Sequence, residues 1–264
     1  MTSSPRPPRP RKLRSLPRSV TAMPLLAQHG EHVEAHNHPW VQLLYASEGV
    51  MRVRTELGMW IIPPRRALLI APGITHELTM LSRVNMRTVY IDAAVAGGLA
   101  EGCKVLEVSP LLRELILALS AEPVAYPLGG RGEHLAWLIL SELAAMETVP
   151  IAVPWPRDRR LQALCADMMD HPGTSRTLED LAFEAGASAR TLIRLFPKET
   201  GLRYRQWVQQ VHLAHAFEML ARGESVGAIA QQLGYASPSA FTSMFRRILG
   251  KTPQHYLAEW RGRA

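Results

Sequence analysis

The sequence predicts an α+β chain: a small N-terminal antiparallel β barrel or sandwich with accompanying helices, then an all-α domain. Three observations carry this. Short apolar runs between turn residues occupy positions 33–92, helical periodicity replaces them after Ser109, and the C-terminal part repeats itself. At 264 residues the chain is long enough for two cores. A hydrophobic content of 47% against 20% charged residues excludes wholesale disorder.

Residues 1–19 hold six basic residues, five prolines and no acid. Such a tail is expected to be disordered, and it lacks the apolar segment of a secretory signal. No apolar run approaches the roughly 18 residues of a membrane helix. Cys103 and Cys165 lie 62 positions apart, without zinc or redox spacing, so a reduced cytoplasmic setting is expected.

Strands are expected at Val41–Ala46, Val50–Thr55, Met59–Ile62, Ala67–Ile70 and Arg87–Ile91, broken by Glu48-Gly49, Gly58, Pro63-Pro64 and Pro72-Gly73. Ser109 then caps a helix that begins at Pro110 and carries Leu111, Leu112, Leu115, Ile116 and Leu119 on one face. A second helix runs from about Glu133 to Met146, with Leu135, Leu138, Ile139 and Leu143. Two readings stand for this pair, covering layers or a dimer interface. The proline-rich stretch Val149–Pro156 reads as a stiff, extended linker. It divides the chain into a domain over 20–148 and another over 157–264.

The second domain contains the repeat. Leu181-Ala182, Gly186, Ser188, Leu192, Phe196 and Gly201 recur as Ile229-Ala230, Gly234, Ser237, Phe241, Phe245 and Gly250. The offset is 48 before the turn and 49 after it, so the second turn is one residue longer. Each copy reads as helix, glycine turn, serine cap and helix, which is a helix-turn-helix whose second helix enters a major groove. Leu192, Phe196, Phe241 and Phe245 are core in any reading. Between the copies, Leu202–Arg222 forms one helical pattern with an apolar stripe of Trp207, Val211, Ala214, Phe217 and Leu220. Twenty residues of helix span about 30 Å, close to the roughly 34 Å between successive major-groove faces. Charge follows the same division. Residues 20–156 hold 9 basic and 13 acidic residues, and residues 157–264 hold 15 and 10. This suits nucleic-acid binding by the second domain, and suits an ordinary basic surface equally well.

Residues 157–260 resemble the DNA-binding domain of the AraC/XylS family of bacterial transcription regulators. The stretches that carry the resemblance are Thr177–Ala182, Arg194–Gly201, Ala228–Ala230, Leu233–Tyr235, Ser237–Phe241, Phe245-Arg246 and Gly250–Pro253. Pro197 departs from the family's usual basic residue but falls late in its helix. The resemblance implies that helix-turn-helix motifs at about 178–200 and 226–249 contact DNA. Arg190, Ile193 and Arg194 then fall where the first head reads bases, and Pro238, Ser239 and Ser243 where the second does. Thr191, Lys198, Thr242, Arg246 and Arg247 complete the expected DNA-binding set, with Lys251 as a further phosphate candidate. Ile193 and Pro238 have no side-chain donors, so the first head leans on its arginines and the second serves mainly as a phosphate anchor.

Five of the ten histidines lie between His29 and His76. The series Gly30, His36, His38, Gln42, Gly49 resembles the first cupin motif, with Gln42 replacing the usual glutamate. Pro72-Gly73-Ile74-Thr75-His76 resembles the second motif, with Met80 at its usual asparagine. The resemblance implies a cupin barrel in which His36, His38, Gln42 and His76 meet, either as a structural, polar pocket or as the site that contacts an effector. No cofactor is expected. A divalent metal at His36, His38 and His76 is the lesser alternative, because an amide is a poorer ligand than a carboxylate. The run His38–Ala46 followed by Trp60–Pro64 resembles a cupin-type subgroup linked to nitroimidazole resistance, whose members commonly govern a neighbouring transporter gene.

The expected function is therefore that of a cytoplasmic, non-enzymatic, effector-responsive regulator. Its expected partners are double-stranded promoter DNA, a small molecule of unknown identity and a second copy of itself, with RNA polymerase left open and no membrane. The rival reading is a metal-dependent cupin enzyme with a helical appendage. No Ser/His/Asp set, phosphate loop or carboxylate pair offers another chemistry.

Overall fold

The computed structural model describes residues 15–260 apart from 100, 147, 150 and 175. Its contacts divide the chain into two units, residues 1–55 with 62–150, and residues 56–61 with 151–264. The α+β order read from the sequence is found.

In the first unit, the strands are β1 (Val20–Ala27), β2 (His32–His36), β3 (Val41–Glu48), β4 (Met51–Thr55), β6 (Arg66–Ile70), β7 (His76–Met80), β8 (Val84–Ile91) and β9 (Cys103–Glu107). One antiparallel sheet runs β1-β8-β3-β6-β9, and β7 pairs with both β4 and β2. After β8 come a short helix α1 (Ala93–Ala96), capped by Asp92, and a 3-10 turn at Gly97–Leu99. Neither these nor β1, β2, β7 and β9 were among the expected elements. β1 and β9 are edges of their sheet, where the missing N–H of Pro24 in β1 is tolerated.

Ser109 caps α2 (Pro110–Ala121) by accepting from Leu112 N at 3.0 Å, and α3 (Arg131–Ala145) follows. Alternation along the strands sends Val41, Leu43, Tyr45, Val89 and Ile91 to one face, where Leu112, Ile116, Leu119 and Ile139 cover them. The helices are thus a covering layer. Leu111 and Leu138, expected on the apolar faces, are instead 55% and 51% exposed, beside Trp137 at 52%.

The basic tail expected over residues 1–19 ends sooner. Arg18 donates to the Tyr126 carbonyl at 2.5 Å and lies over the Tyr126 ring, while the Tyr126 hydroxyl donates to Val20 O at 2.8 Å. Two hydrogen bonds and a cation–π contact tie the chain down just before β1. Residues 1–14 lie outside the described residues.

In the second unit, β5 (Gly58–Ile62) pairs through Met59 and Gly58 with β10 (Val153–Pro154). The stretch expected to be an extended linker is therefore partly hydrogen-bonded, and Trp155 N also donates to Leu57 O at 3.2 Å. The helices are α4 (Arg159–Asp170), α5 (Leu178–Glu184), α6 (Ala189–Thr200), α7 (Tyr204–Ala221), α8 (Val226–Gln232), α9 (Pro238–Leu249) and α10 (Pro253–Trp260). Thr177 and Asp180 form a capping box at the start of α5, and Asp158, Ser188, Ser225 and Ser237 cap α4, α6, α8 and α9. The turn glycines Gly186 and Gly234 sit at φ 61° and 72°, a region that a β-carbon disfavours.

The connector α7 has 18 residues, so it spans about 27 Å rather than the expected 30 Å. Arg203 occupies its N-cap position, and Leu202 stays outside. The whole predicted stripe is buried, together with Gln210, Leu213, Ala216 and Met219. Burial is wider than one stripe because α7 is packed from both ends of the repeat. Phe196 of α6 meets Tyr204 and Trp207 at 5.2 and 5.8 Å between ring centres, and Phe245 of α9 meets Phe217 at 5.6 Å.

Candidate functional site

Two sets of side chains were expected to act, and each lies within one unit. The first is the histidine group. Antiparallel pairing of β2 with β7 places His36 opposite His76, with ring centres 4.4 Å apart. His38 stands 5.2 Å from His76, and its carbonyl accepts from Gly73 N at 2.9 Å, tying the two motif loops together. One ring nitrogen from each of the three lies within 4.8 Å of the others. Gln42, only 3% exposed on β3, points its Oε1 to within 2.9 Å of His38 Nε2. All four expected residues are thus brought together. His29 and His32 stay outside the group, and His32 instead faces Glu77 at 3.8 Å.

The ring orientations share one device. Nδ1 of His36, His38 and His76 lies 2.8, 3.0 and 2.9 Å from the carbonyls of Glu34, Trp40 and Ile74. A carbonyl cannot donate, so each Nδ1 carries the proton and each Nε2 is left with its lone pair. Burial pushes the His76 imidazole down to about 4, assisted by the neighbouring His36 and His38, and burial likewise lowers His38. Both of these rings are neutral at pH 7. His76 Nε2 is buried without a hydrogen-bond partner among the described residues.

Two aromatic residues of the site escaped the sequence reading. Trp40 stacks on His38 at 5.7 Å, and Tyr90 meets His38 edge-on at 5.3 Å. Tyr90 lies opposite Gln42 in the β3–β8 register. Trp40 was signalled by its place between His38 and Gln42, but Tyr90 becomes a neighbour only through strand pairing. His36, His38, Trp40 and Tyr90 are half-buried, so the group is reached from solvent.

The second set lies on α6 and α9. On α6, Arg190, Ile193, Arg194 and Lys198 are exposed, Ile193 by 57%, while Leu192, Leu195 and Phe196 face the core. On α9, Pro238, Ser239, Ser243, Arg246 and Arg247 are exposed over buried Phe241, Met244 and Phe245. Thr191 and Thr242 are half-buried at the edges of these faces, and the Thr191 hydroxyl is 2.9 Å from that of the cap Ser188. Pro197 sits in the last turn of α6, and its carbonyl accepts from Gly201 N, so the helix tolerates it. Ser239, Thr242, Ser243 and Arg246 line a groove that Gln254 of α10 completes. Gln254 was missed because α10 has no counterpart in the repeat. Half-buried Lys251 lies between the two helices.

Residues 25–185 match the family of AraC-like ligand binding domains, and residues 181–259 match a helix-turn-helix domain family. The chain is 31% identical over 223 residues to the HTH-type transcriptional regulator NimR of Escherichia coli (strain K12), covering 84% of this chain and 81% of that one. The chain belongs to the AraC family of transcriptional regulators.

The regulator's C-terminal part is also 34% identical over 103 residues to the HTH-type transcriptional regulator RipA of Corynebacterium glutamicum, covering 39% of this chain and 31% of that one. Among solved structures it is similar to the DNA-binding domain of AdpA in complex with a target DNA, with 33% identity, 40% and 96% coverage and a TM-score of 0.38. It is also similar to fatty-acid-bound ToxT from Vibrio cholerae strain SCE256, with 14% identity, 92% and 95% coverage and a TM-score of 0.39. Family membership makes the chain a ligand-responsive, DNA-binding regulator and sets aside the reading as a cupin enzyme. Among the described residues no helix is long and apolar enough to cross a membrane.

Proposed function

We propose that this regulator reads promoter DNA with the exposed faces of α6 and α9, under control of a small molecule received at His36, His38, Gln42 and His76. One observation carries the reading of the DNA side. The two copies of the repeat expose equivalent faces, and every expected contact residue lies on those faces or at their edges rather than in the core. Arg190 and Arg194 supply bidentate donors for base edges, while Arg246, Arg247 and Lys198 neutralise phosphates. The exposure of the large apolar side chains Leu111, Trp137 and Leu138 on α2 and α3 supports a homodimer formed through these helices. In this reading the protein works in the cytoplasm and governs a neighbouring gene, such as a transporter, with RNA polymerase as a further partner on the promoter.

The test is fluorescence anisotropy with the duplex upstream of its own gene, against a scrambled duplex, for wild type and Arg190→Ala/Arg194→Ala. The double variant should lose the preference for its own sequence while keeping salt-sensitive general binding. An unchanged preference would overturn the assignment of α6.

A further inference from the structure

We propose that Ile193 is itself a base-reading residue: its aliphatic side chain recognises the C5 methyl group of a thymine next to the bases addressed by Arg190 and Arg194. The proposal rests on the reading of α6 as the helix that enters the major groove. It goes beyond the expectation that the first head leans on its arginines.

The exposed residues of α6 are Arg190, Ile193, Arg194, Pro197 and Lys198, which form one stripe of the helix. The opposite stripe, with Leu192, Leu195 and Phe196, is buried. Ile193 lies between the two arginines along the exposed stripe, not at the margin where it would border the core. A single exposed aliphatic residue elsewhere on a surface needs no explanation. Here 57% of it is exposed on the face that a groove-filling helix applies to base edges. Its neighbours are held for the same use. Arg190 and Arg194 have no ion pair or hydrogen bond among the described residues, whereas Arg176 is paired with Asp167 and Glu184, and Arg222 with Glu224.

The chemistry of the groove then selects the base. Major-groove edges offer hydrogen-bond donors, acceptors and one apolar group, the thymine methyl. Arginine addresses guanine O6 and N7 through its fork. Isoleucine has no polar side-chain atom, so the methyl is its favourable partner. Set against any other edge, it displaces water from a polar atom without replacing the hydrogen bond, which costs affinity. Attraction and penalty therefore favour the same base. A β-branched side chain in a helix also keeps nearly one χ1 rotamer, so little freedom is lost on contact. Three residues of helix advance about 4.5 Å, against about 3.4 Å per base pair. The thymine should thus lie within about two base pairs of a guanine read by Arg190 or Arg194.

The experiment uses the full-length protein to select a preferred duplex from a random pool. Each thymine of that duplex is then replaced in turn by deoxyuridine, which lacks only the methyl, and affinities are measured by fluorescence anisotropy. One replacement should weaken wild-type binding about fourfold, the worth of one buried methyl group. Ile193→Ala should bind the thymine and deoxyuridine duplexes alike, and Ile193→Val should retain part of the difference. Both variants change an exposed side chain, and thermal unfolding verifies that they fold. Arg190→Ala/Arg194→Ala is measured beside them. If that double variant loses its preference while no deoxyuridine weakens wild type, α6 reads bases and the role of Ile193 is overturned. Equal weakening of wild type and Ile193→Ala by the same deoxyuridine also overturns it, because the methyl then acts at another residue or through DNA shape. A double variant that keeps its preference overturns the assignment of α6, and the role of Ile193 with it.

Discussion

In the first helix-turn-helix, Ala187 N donates to Ala182 O at 2.9 Å; in the second, Tyr235 N donates to Ala230 O at the same distance. The backbones of the two turns are equivalent, but their side chains are not. Ala187 has nothing to offer the connector. Tyr235 packs on Phe241 at 5.5 Å and donates its hydroxyl to His212 Nδ1 at 2.9 Å, while His212 Nε2–H donates to the Pro172 carbonyl at 3.0 Å. The loop holding Pro172 comes close enough that a β-carbon on Gly173 would lie 2.0 Å from Gln232 O. The second copy is thus bonded to α7 through Tyr235 and His212, a link for which the first copy, with Ala187 at the matching position, has no equivalent among the described residues. The reading faces differ in parallel. Arginines dominate the first, and proline, small hydroxyls and a late Arg246-Arg247 pair dominate the second. Duplication preserved the scaffold and let the chemistry diverge.

If the scaffolds are equivalent, their cores should cost the same to damage. Phe196→Ala and Phe245→Ala should each lower stability by about 3–5 kcal/mol in urea unfolding. A large inequality would show that one copy carries the unit. Divergence of the faces should appear in DNA binding. Arg194→Ala should cost about 1–3 kcal/mol on the preferred duplex and relax the preference at one position. Arg247→Ala should instead weaken all duplexes alike and reduce the salt slope by about one. Swapped behaviour between the two would invert the division of labour.

Smaller effects test the turns. Ser188→Ala and Ser237→Ala remove matching caps, and each should cost about 1 kcal/mol in thermal unfolding. The last contrast is between His212 and its absent counterpart. Burial holds His212 below the ordinary imidazole value, and His215 adds to this. The unfolded chain therefore takes up this proton first. The contribution is complete above a pH of about 6.5 and is lost as the pH falls below it. Unfolding at pH 7.5 and 5.5 should show less acid sensitivity in His212→Gln, whose amide can replace both bonds. An identical loss would assign the sensitivity to other histidines.

The two helix-turn-helix copies and their connector were legible almost to the residue, because their signals are local, whereas α4 and α10, which lie outside the repeat, were not read. Ser188, Ser237, Gly186 and Gly234 mark cap and turn, and the one-residue difference in offset became the longer turn around Tyr235. The barrel half was legible at β3, β4, β5, β6 and β8 but not at β1, β2, β7 and β9. β1 contains a proline, β2 and β7 have few apolar residues, and β10 has two residues, too few for any periodicity. For the pocket, spacing identified His36, His38, Gln42 and His76. The orientation of each imidazole and the partnership with Tyr90 depend on carbonyl positions and register, which no spacing encodes. The outward exposure of Leu111 and Leu138 was likewise hidden, since periodicity shows that a face is apolar but not what covers it.

Trp207 is fully buried, and its indole N–H donates to Pro154 O at 2.8 Å. That carbonyl belongs to the segment that looks like a dispensable tether, and residues 56–61 group with the same unit. An expression fragment that starts at residue 157 would amputate the acceptor and strand a donor inside the connector's core. Losing it should cost about 1–3 kcal/mol, so a soluble DNA-binding fragment should be cut at or before Ile151. Where the chain is easiest to sever by eye is not where it is safest to sever by chemistry.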